Sequence, residues 1–167
     1  MLTPAYTKNR TDPAPSDNSG GERYDGYKGG ANSTEWSWCR WPSRWRLCSR
    51  VDDRADWAGG EAYDAYPSPG GDPSKADLGR RNALGHVLWS SRMTWDFGSG
   101  TASEFLDRHE AGADPSDPDH EADLYNNFIG QMLAILYKGA GFEYCDLERD
   151  LRRMVENGST ANWSRAG

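Results

Sequence analysis

The sequence predicts an all-α fold: a compact bundle of about five helices behind a long irregular N-terminal arm. Three observations predict it. From residue 43 onward, apolar residues recur at three- and four-residue steps, the spacing of a helix face. No segment alternates at period two, the mark of a half-buried strand. Proline and glycine clusters interrupt the periodic stretches where helices would end.

Each element follows in order. Residues 1–35 are rich in Pro, Gly, Ser, Asn and Asp without periodicity, and read as a disordered or loosely packed arm. Tyr6, Tyr24 and Tyr27 are its candidate anchors. A single helical domain is expected over residues 36–160, with a tail over 161–167. The first helix is expected from Ser43, its candidate N-cap, with Trp45, Cys48, Val51, Ala55, Ala58, Ala62 and Tyr66 inward. Gly59 and Gly60 weaken its middle, and Pro67 and Pro69 end it.

The second helix is expected from about Asp77 to Phe97, apolar on more than one side and so central. Gly98-Ser99-Gly100 stops it. A third runs from about Thr101 to Glu110, with Ala102, Phe105, Leu106 and His109 on one face. A fourth starts at Pro118 behind an Asp117 cap and runs to about Tyr137. Its expected apolar stripe is Ala122, Tyr125, Ile129, Met132, Leu133 and Leu136. The last covers about Asp146 to Glu156, with Leu147, Leu151 and Met154 inward and Asn157-Gly158 as its stop.

Composition narrows the function. The chain has 167 residues and a formal net charge of −7. That balance argues against bulk nucleic-acid binding, which needs a basic face, and for a soluble, self-repelling surface. No apolar run reaches the roughly 18 residues of a transmembrane helix. The N-terminus carries no apolar h-region, so no signal peptide is visible. Three cysteines leave at least one thiol free or paired between chains. Cys39 and Cys48 flank a Pro-containing bend and are spaced to close a short disulfide loop. Both redox states fit the sequence, so the compartment stays open.

Four of the eight tryptophans, Trp36, Trp38, Trp41 and Trp45, lie within ten residues and alternate with arginines. One reading is peripheral membrane contact through Trp36, Trp38, Trp41, Arg40 and Arg44, indoles at the headgroups and guanidiniums on phosphates. The simpler reading is a local cap with arginine stacked on tryptophan. The acidic stretch from Asp114 to Asp123 lacks the Gly and the twelfth-position acid of an EF-hand and reads as a solvated loop with His120 exposed.

Three short stretches carry the chemistry. Asn82 and His86 stack on one side of the second helix. His109 and Glu110 close the third. Asp123, Asn126, Asn127 and Gly130 share one face of the fourth. If those helices pack together, His86, His109, Glu110 and Asp123 are the candidate catalytic groups, and Asn82, Asn126, Asn127 and Trp89 the candidate binding groups. His86, His109 and Asp123 have the chemistry to hold a divalent metal as cofactor, with a second carboxylate as base. Without metal, a His–carboxylate pair moves protons. The structural alternative is a buried hydrogen-bond network made of the same residues. The spacing matches no HExxH zinc signature.

These motifs resemble a bacterial family of uncharacterised helical domains, over about residues 45–137. Its members typically read Asp/Asn-Ala-Phe-Arg-His-Ala-x-Trp, then Ala-His-Glu, then Asp-Leu-x-Asn-Asn-x-x-Gly. Asn82, Ala83, His86 and Trp89 match the first, His109 and Glu110 the second, and Asp123, Asn126, Asn127 and Gly130 the third. Leu84 and Gly85 stand where the family has Phe and Arg, which removes a candidate anion-binding group. The resemblance implies a secreted or surface-associated setting and a hydrolase-like or toxin-like effector role. Phospholipid or another phosphoester is the substrate class such a role suggests. A non-enzymatic structural or binding module is the alternative.

Overall fold

A computed structural model of the chain describes residues 32–72, 75–112 and 118–161. The arm up to residue 31, the Asp117 cap and the tail from residue 162 lie outside the described residues. The described residues form six helices: α1 (Ser33–Cys39), α2 (Trp45–Ala65), α3 (Leu78–Phe97), α4 (Ser99–Glu110), α5 (Pro118–Gly139) and α6 (Tyr144–Glu156). A 3-10 turn, Pro69–Gly71, links α2 to α3. No strand occurs among the described residues.

α3 is the central helix, as its two apolar faces require; α2, α4, α5 and α6 all pack on it. Val51 of α2, Leu84 and Leu88 of α3, Phe105 of α4, and Leu147 and Leu151 of α6 are fully enclosed there. Asp77 caps α3 by accepting from the Arg80 N–H, which satisfies one of the donors a helix start leaves open.

Several boundaries differ from the sequence expectation, each for a local reason. Helical structure starts at Ser33, ahead of the expected domain start at Trp36 and of the first expected helix at Ser43. Asn32 accepts from the Thr34 and Glu35 amides while Glu35 reaches back to the Asn32 N–H, a reciprocal capping box. Ser43 caps nothing: α2 starts at Trp45, and Arg44 at its N-cap makes no side-chain cap bond. Trp45 points outward at 64% exposure. α4 begins at Ser99, because Gly98 at φ +85° turns the chain in one residue. In α6, Val155 rather than Met154 is fully buried.

The largest correction concerns α5. Of its expected inward stripe, Tyr125, Met132 and Leu136 are exposed, whereas Asn126, Asn127, Gly130 and Ala134 are buried. Gly130 explains the turn. A side chain there would meet Ser90 Oγ and stand 2.5 Å from Val87 O. The glycine therefore lets the α5 backbone lie directly on α3, and that contact fixes which side of α5 faces in.

Candidate functional site

The polar motifs of α3, α4 and α5 meet beside that close contact, around His86, which is 2% exposed. Its Nε2 lies 3.2 Å from Asp123 Oδ1, and its Nδ1 lies 3.2 Å from Asn127 Oδ1 and 3.9 Å from Glu110 Oε1. Asn127 donates its amide N–H to Glu110 Oε1 at 2.7 Å. Asn82 donates to Asp123 Oδ1 at 2.6 Å, one helical turn from His86 on α3. Glu110 Oε2 stands 3.5 Å from His120 Nδ1. His120 is thus half-buried beside the network, not exposed as the sequence suggested.

Burial sets the protonation states. Desolvation and the His109 charge push the His86 pKa down to about 3, against the Asn127 hydrogen bond, which raises it. Desolvation and the Glu110 charge push the Asp123 carboxyl up to about 7. Burial likewise raises Glu110, against the pull of His109, His120 and Asn127. A buried carboxyl or imidazole sheds its charge unless a partner of opposite sign stays close.

His109 belongs to a second, linked pair. Its Nδ1 sits 2.8 Å from Glu35 Oε1, and its ring is 6.3 Å from that of His86. Burial lowers its pKa, but the hydrogen bond and charge of Glu35 outweigh that and leave it raised. Glu35 itself is 1% exposed, held by its capping bond to Asn32. Asn32 also donates to the carbonyls of Arg108 and His109, and Thr34 donates to Arg108 O. The capping box that starts α1 therefore also locks α1 onto the end of α4.

The candidates fall into three groups. His86, Glu110, Asp123, Asn82 and Asn127 come together. His109 lies beside them but bonds to Glu35. Asn126 turns away: its amide accepts from the Ala161 N–H and donates to Ala161 O, which ties the chain after α6 onto α5. Trp89 packs edge-on against Phe105 and the His109 ring, a wall of the core. Glu35 is the residue sequence reasoning missed. Its signal was the Asn-x-x-Glu spacing of residues 32–35.

The metal reading of His86, His109 and Asp123 finds no support in this arrangement. Among the described residues no three His, Cys, Asp or Glu side chains are grouped so as to hold a metal ion. His86 and Asp123 face each other, and the His109 Nδ1 faces Glu35.

Fold and site together define an all-α domain organised around a buried His/Glu/Asp/Asn network. The chain belongs to the family described as Domain of unknown function (DUF6973), which matches residues 61–158. That match spans all three polar motifs and reaches α6, starting later than the expected resemblance and ending beyond it. No curated protein and no solved structure matches the chain.

The Trp/Arg segment splits in two. Trp38 is buried and donates its indole N–H to Glu104 Oε1 at 2.6 Å. Arg44 lies over its ring at 4.4 Å and 3.6 Å from Glu104. That half is the expected cap, so Trp38 is not part of an exposed patch. Trp36, Trp41 and Trp45 are 55%, 61% and 64% exposed. Cys39 and Cys48 form a disulfide that closes the bend carrying Trp41 and Trp45; Cys145 is free and exposed. No helix among the described residues is long and apolar enough to cross a membrane.

Proposed function

We propose that this domain is a non-enzymatic binding module. In this reading the buried network holds the helices in register, and the disulfide-closed Trp/Arg loop seats on an anionic lipid surface. The observation that carries it is charge segregation at exposed indoles. Residues 36–50 hold four arginines and no Asp or Glu in a chain of net charge −7. Arg40 and Arg46 are exposed alongside Trp36, Trp41 and Trp45. Indoles favour the headgroup layer and guanidiniums favour lipid phosphate. The disulfide fits the oxidising, extracytoplasmic setting that the motif resemblance implied.

Sedimentation with vesicles tests it, using phosphatidylglycerol mixed into phosphatidylcholine against phosphatidylcholine alone. The expected result is binding to the anionic vesicles only, weakened by salt and lost in both Trp41→Ala/Trp45→Ala and Arg40→Glu/Arg46→Glu. Binding that these variants leave intact, or no binding to anionic vesicles, overturns the reading.

One observation favours a second reading, an acid–base hydrolase acting on a phosphoester or lipid. Asp123, pushed up to about 7, keeps 17% of its side chain exposed at the edge of the network. A carboxyl poised near neutrality beside an imidazole is a competent proton donor and acceptor. In that reading Asp123 exchanges the proton with His86, Glu110 and His109 set the field, and Asn82 orients the carboxyl. Asp123→Asn would then abolish turnover of a phosphodiester or phospholipid while the thermal midpoint stays unchanged. A shifted midpoint with no turnover by the wild type counts for the structural role.

A further inference from the structure

We propose that the outward face of α5 is a twofold interface between two copies of this chain. Leu124, Tyr125, Phe128, Met132, Ile135 and Leu136 are 44%, 47%, 57%, 37%, 52% and 57% exposed. They fall on one side of α5, in the three- and four-residue steps of a helix stripe. The opposite side carries Asn126, Asn127, Gly130 and Ala134 and is buried against the bundle. The inward side also buries Ala122 and Ile129, so α5 is apolar on both sides, more than a helix that serves only its own core requires.

Size and symmetry name the occupant. At about 200 Å² per large side chain, these exposures leave roughly 600 Å² of apolar surface. That lies within the usual size range for the largest patch on a monomer and at the low end of what each partner contributes to a stable complex. The stripe also complements itself. An antiparallel copy related by a twofold near the middle of the stripe brings the Leu124 and Tyr125 end of one copy opposite the Ile135 and Leu136 end of the other, with Phe128 opposite Met132 at the centre. Such self-pairing is what an isologous dimer requires.

The ends of the stripe agree in charge. Glu121 is exposed in line with it, near the N-terminal end. Lys138 lies in the last turn of α5. The same twofold brings Glu121 of one copy beside the last turn of the other. The Lys138 ammonium already donates to Trp95 O at 2.6 Å and keeps two further donors for a partner carboxylate. The acidic residues of α5, Asp119 and Glu121, sit in its first turn, so the twofold sets the acidic end of one copy against the lysine end of the other.

Sedimentation equilibrium on the full chain, repeated with Phe128→Glu and Ile135→Glu, tests the interface. The expected result is a two-chain mass at micromolar concentration and a dimer constant weakened about tenfold or more by either substitution. Circular dichroism is expected to show unchanged helix, since both positions face outward. Geometry is checked separately with Phe128→Cys/Met132→Cys in a Cys145→Ser background. Oxidation is expected to link two chains covalently. Three outcomes overturn the proposal: a wild type that stays monomeric at every concentration, a dimer indifferent to Phe128→Glu, or a monomer in which that substitution removes vesicle binding instead. The third assigns the face to lipid. Loss of the lipid reading through the Trp41 and Arg40 variants leaves the dimer untouched, so the two proposals fail separately.

Discussion

His86 has two ring nitrogens and a different partner at each, so its tautomer follows from geometry. The Asn127 N–H is committed to Glu110, which turns Asn127 Oδ1 toward His86 Nδ1. Nδ1 therefore carries the hydrogen and Nε2 is bare. A bare Nε2 opposite Asp123 Oδ1 is satisfied when that carboxyl is protonated, in agreement with its pKa near 7. The linkage signs then oppose each other. Asp123 is raised from 3.8 to about 7, so its contribution to stability is complete below 3.8 and is lost as pH rises through about 7. His86 is lowered from 6.5 to about 3, so its contribution is complete above 6.5 and is lost as pH falls toward about 3. The thermal midpoint should therefore peak between about pH 4 and about pH 6.5, declining below that range as His86 charges and above it as pH rises through about 7. In Asp123→Asn the alkaline decline should shrink, and the acid decline, owed to His86, should persist. His109, also raised, keeps part of the alkaline loss. Calorimetry within and on both sides of that range checks it; an unchanged alkaline limb in the variant would refute the assignment of that proton to Asp123.

At the scale of elements, much of the fold and part of the site was legible. The 3.6-residue spacing placed α3 within a residue at each end, and its two apolar faces correctly made it central. That Asp123, Asn127 and Gly130 share a face of α5 was legible, because helix spacing alone puts side chains three and four apart together. Which face of α5 points inward was not legible. Hydrophobicity favours the Tyr125–Met132–Leu136 side. The bundle takes the other because Gly130 permits backbone contact with Ser90 and Val87, and because Asn127 completes a polar network that no single helix reveals. Asn126 misled for a related reason. It lies next to Asn127, yet one step along a helix is a 100° turn, enough to send it to Ala161 instead of His86. α1 was hidden behind an arm of loop-like composition, and only its capping box betrayed it. The buried Glu35–His109 pair depends on that helix, so missing one meant missing the other.

At the scale of the whole molecule, three arginines, Arg40, Arg44 and Arg46, lie in one disulfide-closed bend of a chain of net charge −7. The bend spans Cys39 to Cys48, a separation of 9 residues. A loop of that length gains about 2–3 kcal/mol from closure in the chain-entropy account. The bond joins the end of α1 to the first turns of α2, two helices that otherwise lean on different neighbours, α4 and α3. It therefore stabilises the fold and holds Trp41 and Trp45 at fixed separation. Both effects are separable by reduction. With the thiols reduced, guanidinium denaturation should show an unfolding free energy lower by about 2–3 kcal/mol. Far-ultraviolet circular dichroism should keep its helical signal, because α3 and its four neighbours do not depend on the bond. Binding to anionic vesicles should weaken in the same sample, because two indoles on a loosened loop must be ordered at the surface at an entropic cost. A vesicle affinity that survives reduction would mean the tryptophans insert singly, and the fixed bend would then serve stability alone.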